Sequence, residues 1–540
     1  MRRRGPQRVA AAERPSSGPA KETWIEQSAS FIGFFIYLLI LKTFFLPLFI
    51  IPTGSMAETL YGAHARTMCP NCGVEYAVGW QQPGDWAGPT AYQPVVQCPN
   101  CRWRQYYGDP ARLPADRAAP DSRLNRPLRP SAGDRIFVHG WPFSQPFASI
   151  DGLGPARWDV VVFKVPTDGQ TNYIKRLIGL PNEKIELING DVFVNDQLTT
   201  KTPDAQRSLW LPYFNQDYPP RGASRQADYF PQWVAVEPQT AWSGMRTRVL
   251  RCDGLGRGRQ VLQFATNPGG SPHPGWIQDV YAYNEPREQI RPHLVGDVRL
   301  SAEVELDPGS RGAAELEIAY QDDVFAAVLT PDGTLSLVHG VGQAGPRETW
   351  KSVKLPPSRG PVHVALAHVD GTVRVEVDAR PALQSTPAQY TVTPDAARRR
   401  AAHPQTPVLR VAATDARVAL RHVLIQRDVY YTSDAYRHGV GRFGYGEQGH
   451  PIQLGPAEYF VLGDNSPNSL DGRFAFSGPG RDPLGPHLRG AAAAGRFQLG
   501  TVPADQMIGR AFFVYWPGFL PLTPQGPNLL PDLGHARWIH

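Results

Sequence analysis

The sequence lacks several features that would place it quickly. It has little excess charge: 55 Lys and Arg against 49 Asp and Glu leave a formal net charge of +6 over 540 residues. That excess is small and dispersed, which argues against a nucleic-acid partner. Only the amino-terminal MRRRGPQR is one-sided, with four arginines and no acid. None of the 14 histidines sits in a recognisable catalytic string, and there are only five cysteines. There is one long apolar run; AFFVYWPGFLPL (511–522) is too short to span a bilayer and holds two prolines. What the chain has in quantity is proline and glycine, 54 and 52, a composition that reads as loop-rich and β-rich rather than helical.

The apolar run FIGFFIYLLILKTFFLPLFI (31–50) predicts a transmembrane anchor over 24–45, since a bilayer core needs roughly 20 apolar residues. Lys42 is tolerable near a helix end, where its ammonium can snorkel to the interface. The basic arm 1–23 then stays cytoplasmic and the rest of the chain lies outside. A cleaved secretory signal is the weaker reading, because no small-residue cleavage site follows the run.

Beyond the anchor the expected fold class is mainly β. Short strands are predicted in RIFVHGW, WDVVVFKV, YIKRLIGL, KIELING and DVFVND, with a hairpin turn at Asn189-Gly190. The texture divides the chain into a first host piece (46–63), a cysteine-bearing insert (64–106), a Pro/Arg/Ala-rich linker (107–130), a second host piece (131–197), an unassigned insert (198–295), a second insert (296–427) and a third host piece (428–540). Strict alternation in VRLSAEVEL and VHVALAHVDGTVRVEVD, the latter turning at Asp370-Gly371, predicts a β-sandwich over 296–427. Its strand rhythm resembles a concanavalin/laminin-G-like jelly roll, a scaffold that docks protein partners or binds glycans. His363 and His368 on its hairpin are read as ordinary, not as ligands.

Two Cys-x-x-Cys knuckles, CPNC at 69–72 and CPNC at 98–101, fit a closed tetrahedral S₄ site. Cys69, Cys72, Cys98 and Cys101 are therefore expected to hold a structural zinc in a zinc-ribbon-like insert. Two disulfides or a redox pair are the alternatives in an exported compartment. Cys252 is expected to be buried and free.

The serine in IPTGSM (51–56) sits where the apolar run would leave the bilayer. A nucleophilic serine needs a base, and a lysine serves if burial keeps it neutral. Lys175 in NYIKRLIGL and Lys164 in VVFKV both lie among apolar residues, and spacing does not choose between them. IPTGSM, GDRIFVHGW, RWDVVVFKVP, YIKRLIGLPNEKI, GDNSPNSLDGR and GRAF occur in that order after the apolar run. Together they resemble type I signal peptidase, a membrane-bound Ser/Lys endopeptidase, over about a third of the chain. The resemblance implies Ser55 as nucleophile and Lys175, not Lys164, as general base. It implies Thr53 and the Ser55 N–H as the oxyanion hole, Ser469 as the residue that orients the lysine, Asp471 and Arg473 as a structural ion pair, and Asp464 and Asn465 as loop-shaping residues. Ser466-Pro467 and Gly472 depart from the family pattern at positions given no chemistry. The implied substrates are exported preproteins with Ala-x-Ala-type sites, cut beside membrane lipid at the cytoplasmic membrane by a single-pass enzyme needing no catalytic cofactor. The competing functions are a catalytically silent anchored scaffold that binds through its inserts, and a soluble Ser/Lys self-cleaving regulator, which the anchor disfavours.

Overall fold

The computed structural model describes residues 23–40, 46–80, 95–106, 131–144, 146–147, 150, 152–221, 232–266, 276–284, 292–342, 345–356, 360–432, 444–478, 481–521 and 528–540. The chain is mainly β, as expected. The linker 107–130, Lys42 and nearly all of the basic arm lie outside the described residues.

The apolar run forms a helix over Trp24–Ile40. Among the described residues no helix is long and apolar enough to cross a membrane, so the expected 24–45 transmembrane helix is not supported there. Residues 41–45 lie outside the described residues, and the chain is extended again at Leu48–Ile50.

One antiparallel sheet collects strands from distant parts of the sequence. Its order is Leu48–Ile50, Arg135–His139, Met507–Trp516, Val160–Lys164, Asn172–Gly179, Glu458–Leu462 and Val502–Pro503, with Arg537–Trp538 also pairing with Met507–Trp516. Alternation within Val160–Lys164 divides its side chains: Val160 and Val162 join a core with Met56, Leu60 and Ile174, while Val161 and Phe163 join one with Leu177 and Val461. A four-stranded sheet, Gln197–Leu198, Asp191–Val194, Lys184–Ile188 and Ile452–Gln453, packs alongside. Its hairpin turns at Asn189 and Gly190, whose φ of 54° and 90° are those of a two-residue type I′ turn.

The long insert is a sandwich of an eight-stranded and a seven-stranded antiparallel sheet. Val298, Leu300, Ala302 and Val304 alternate inward against Phe325, Leu337, Leu366, Val411 and Ile425. The sandwich draws on more of the chain than its alternating half. Leu211–Asn215, Trp242–Ser243 and Val249–Asp253 join one sheet, and Gln232–Ala235 and Arg259–Ala265 join the other. These strands come from the stretch 198–295, where aromatic and proline residues hide the period-two pattern.

Both ends of the insert are tied together. Lys201 Nζ, buried, lies 2.5 Å from Asp370 Oδ1 on the hairpin turn and 2.6 Å from Asp428 Oδ2 where the chain leaves the sandwich. Burial would lower the lysine pKa, but the two carboxylates reverse this and raise it above the usual lysine value. Lys201→Ala leaves two buried carboxylates without their cation and is expected to cost about 3–5 kcal/mol of stability. Equal denaturation midpoints for variant and parent would contradict the clamp.

Candidate active site

Ser55 stands on a tight turn directly after the first strand of the mixed-origin sheet. Buried Met56 and Leu60 anchor the turn to the core beneath, and Ala57 N–H donates to Gly54 O at 3.0 Å. The chain that follows Glu458–Leu462 closes over the turn: Asn465 N–H donates to Ser55 O at 3.1 Å, and Asn465 Nδ2 to Gly54 O at 2.9 Å.

Lys175 arrives from Asn172–Gly179. Its Nζ lies 2.7 Å from Ser55 Oγ, donates to Ile174 O at 3.0 Å, and stands 5.3 Å from the Tyr173 ring centroid. Only 3% of Lys175 is exposed. Burial lowers its pKa to about 8, against the opposing pull of Asp471 and Asp464 and with some help from Arg473. Lys164, the other lysine left open by spacing, is exposed at the end of Val160–Lys164.

The two carboxylates near the amine are both committed elsewhere. Arg176 grips Asp464 with two parallel hydrogen bonds, Nε to Oδ1 at 2.8 Å and Nη2 to Oδ2 at 2.7 Å. Thr59 Oγ1 adds a third to Asp464 Oδ2 at 2.6 Å. Arg473 grips Asp471 in the same way at 2.9 and 2.7 Å, and Asp471 also accepts the Gly463 N–H at 3.0 Å. Burial alone would raise the Asp471 pKa, but the Arg473 charge and these hydrogen bonds hold it below the usual carboxylate value.

Ser469 is buried beside the pair, and among the described residues its Oγ has no hydrogen-bond partner; it does not bond Lys175 here. Gly463 makes room for it: a Cβ there would come within 2.2 Å of Ser469 Oγ and 2.5 Å of Ser55 O. Thr53 is exposed two residues before Ser55.

Several residues of this neighbourhood had no signal in the sequence reading. Arg176 follows Lys175 directly, and an arginine inside an apolar strand was a usable clue. Ser466 occupies a position given no chemistry, yet its Oγ accepts from Thr432 N–H at 2.8 Å and Arg473 Nη1 at 2.9 Å. Tyr281, Tyr283 and Asn284 reach the site from the sandwich insert, where nothing in the local pattern marks them.

The four paired cysteines also converge. Two hairpins, His64–Met68 with Glu75–Gly79 and Val95–Gln97 with Arg104–Tyr106, each carry one CPNC turn. Gly73 and Arg102 adopt positive φ, 83° and 58°, to close the knuckles. Cys69 Sγ lies 3.6 Å from Cys101 Sγ, and Cys72 Sγ 3.6 Å from Cys98 Sγ, with all four sulfurs within 4.8 Å of one another. These separations are far beyond a disulfide bond of about 2.05 Å. They fit a tetrahedron of thiolates about 2.3 Å from one zinc, whose edges measure about 3.8 Å. Cys252 is buried and free, apart from the cluster.

The family Signal peptidase, peptidase S26, matches residues 131–234 and 410–516. Those ranges hold Lys175, Asp464, Asn465, Ser469, Asp471 and Arg473; Ser55 lies outside them. At the family level the chain is similar to signal peptidases. It is 50% identical over 48 residues to signal peptidase I of Rickettsia typhi and to that of Rickettsia prowazekii, covering 9% of this chain and 18% of each relative. The chain thus spans under a fifth of the length of these curated relatives. Among solved structures, a Bacillus subtilis carbohydrate binding module, CBM66, aligns with 36% of this chain and 94% of its own at 12% identity and a TM-score of 0.24. Sheep galectin-11 aligns with 29% of this chain and 99% of its own at 12% identity and a TM-score of 0.18. Scores this low decide nothing about fold or ligand.

Ser466→Ala removes the acceptor of a buried N–H and one ligand of the Arg473 guanidinium, and is expected to cost about 1–3 kcal/mol. Urea denaturation measures it; an unchanged midpoint would mean that the hydroxyl is not needed there.

Proposed function

We propose that this chain is a membrane-associated serine endopeptidase that removes signal peptides from exported preproteins with a Ser55/Lys175 dyad. The carrying observation is the 2.7 Å separation of Lys175 Nζ and Ser55 Oγ, with the amine buried and no carboxylate left to pair with it. The family match over the segments that supply Lys175 and the 463–473 loop supports the same reading.

In this scheme neutral Lys175 takes the Ser55 hydroxyl proton as Oγ attacks the scissile carbonyl carbon. The tetrahedral oxyanion is held by the Ser55 N–H and the Thr53 hydroxyl. The Lys175 ammonium then gives its proton to the departing amine of the mature protein as the C–N bond breaks, leaving an acyl-Ser55. Lys175, neutral again, takes a proton from water as the water oxygen attacks the acyl carbon; the C–Oγ bond then breaks, Lys175 returns the proton to Ser55 Oγ, and the signal peptide leaves as a carboxylic acid that ionises in solvent. Ser469 Oγ turns to Nζ to steer it between these tasks. Asp464, Asn465, Asp471 and Arg473 hold the surrounding loops. Each proton has a side-chain carrier in this scheme, and no step calls on a catalytic cofactor.

The substrates are preproteins with small residues one and three places before the cut, and the site works beside membrane lipid. The helix Trp24–Ile40 exposes Trp24, Ile25, Phe31, Phe34 and Tyr37, an apolar surface suited to lipid, and we place it in a single-pass anchor with the amino terminus cytoplasmic. Cys69, Cys72, Cys98 and Cys101 hold a structural zinc, which stabilises a small insert with little apolar core and takes no part in the chemistry.

Two measurements test these readings. With a preprotein carrying an Ala-x-Ala site, Ser55→Ala and Lys175→Ala are expected to lower kcat/KM by about a thousandfold or more. The parent's rate should rise with pH and half-saturate near 8, because only the deprotonated amine accepts the serine proton. Equal processing by the three proteins, or a rate independent of pH from 6 to 9, would overturn the dyad. Elemental analysis of protein purified in reductant should find about one zinc per chain, lost in Cys69→Ser; zinc-free folded protein would overturn the metal site.

A further inference from the structure

We infer that Tyr283 and Asn284, carried by the sandwich insert, are positioning residues for Ser55, so that the insert helps to set the geometry of the reactive turn. This rests on the peptidase reading above and adds to it a part that the matched segments do not contain.

After Arg259–Ala265 the insert sends a buried stretch back toward the sheet of mixed origin. Ile277, Asp279, Tyr281, Ala282, Tyr283 and Asn284 are each 5% exposed or less. Asn284 meets Asn465 as a reciprocal amide pair: Asn284 Nδ2 donates to Asn465 Oδ1 and Asn465 Nδ2 donates to Asn284 Oδ1, both at 2.7 Å. Asn465 Nδ2 is the same group that donates to Gly54 O, one residue before Ser55. Asn284 thereby fixes the orientation of the amide that holds the nucleophile turn. Asn468 Nδ2 donates to the same Asn284 oxygen at 3.3 Å.

Tyr283 acts on the turn by contact. Its ring lies where side chains at Gly54 and Gly79 would stand: a Cβ on Gly54 would fall 1.8 Å from Tyr283 Cε1, and one on Gly79 would fall 2.5 Å from the same atom. The glycine before the serine is thus required by this packing. Tyr283 Oη donates to Ala63 O at 2.9 Å, and Tyr283 O accepts the Gly79 N–H at 2.9 Å, so the residue also joins the cysteine-bearing hairpin to the turn. Two residues earlier, Tyr281 Oη donates to Asp464 O at 2.9 Å, and its ring lies 4.5 Å from the guanidinium carbon of buried Arg427 at the end of the sandwich strand Arg417–Arg427. Arg427 Nη2 donates to Val280 O at 3.0 Å. The stretch is therefore held by the sandwich at one end and presses on the nucleophile turn at the other.

Misplacing a reacting atom by about 1 Å can cost about a hundredfold in rate. Full-length protein in detergent and a preprotein with an Ala-x-Ala site provide the assay. Asn284→Ala is expected to lower kcat by about 10–100-fold, with KM within about threefold of the parent; loss of the buried amide pair also lowers the thermal midpoint, and the assay is run well below it. Tyr283→Phe keeps the ring and should stay within about twofold of the parent in kcat. Gly54→Ala should lose activity through the ring overlap, and adding Tyr283→Ala should restore part of it, so that the double variant loses less than the product of the two single losses. An Asn284→Ala kcat equal to the parent's, a kcat loss matched by the fraction of variant unfolded at the assay temperature, or independent losses at 54 and 283 would each overturn the inference. If the parent and Ser55→Ala process substrate equally, the peptidase reading fails and takes this inference with it. If the parent is active, Ser55→Ala is silent and Asn284→Ala matches the parent, only the positioning role fails.

Discussion

The site depends on an amine that is buried without a counter-charge of its own. Lys175 is enclosed as fully as a core side chain, and two carboxylates lie near enough to keep it charged. Each is held instead in a bidentate grip by an arginine, Asp464 by Arg176 and Asp471 by Arg473. The arginines neutralise the acids more completely than a single lysine could, because a planar guanidinium matches both carboxylate oxygens at once. Only Ile174 O and Ser55 Oγ are left within hydrogen-bonding distance of Nζ among the described residues. Desolvation then outweighs the residual attraction and holds the amine's pKa down at about 8.

This arrangement accounts for the density of charge in an otherwise apolar interior. Arg176, Asp464, Asp471 and Arg473 are almost entirely inaccessible to solvent. Such pairs contribute little net stability compared with hydrophobic replacements, but breaking one is costly. Their value here is placement: they lock the 463–473 loop over the Ser55 turn and keep both carboxylates paired, so that these raise the lysine pKa less than burial lowers it. Ser466 and Thr432 extend the lock through hydrogen bonds to Arg473.

The parts legible in the sequence were those with a local signature. The ordered motifs pointed to Ser55 and Lys175, which the fold brings together across 120 residues of chain. Cysteine spacing located a cluster whose sulfurs do converge, and period-two alternation located the regular half of the sandwich. What stayed hidden had no local signature. The strands between 211 and 265 are short, most hold aromatics and the first holds Pro212, and their place is set by partners as distant as Arg427, which pairs with Leu211. Ser466 looked like a neutral departure from a pattern because its hydroxyl matters only through Arg473 and Thr432. Tyr283 and Asn284 read as ordinary insert residues, since sequence gives no hint that this stretch returns to Gly54 and Asn465. The apolar run was legible as a helix, and the described part of it covers Trp24–Ile40.

The strand order of the mixed-origin sheet has a consequence for biosynthesis. Met507–Trp516 lies between Arg135–His139 and Val160–Lys164, so two strands made early are joined only by one made late. Made from its amino terminus, the chain has every described strand of the sandwich before residue 428, so that module can be completed first. The mixed-origin sheet cannot close until Met507–Trp516 is present. Ser55 and Lys175 are therefore brought together late, with a guest module already folded when the sheet assembles around it.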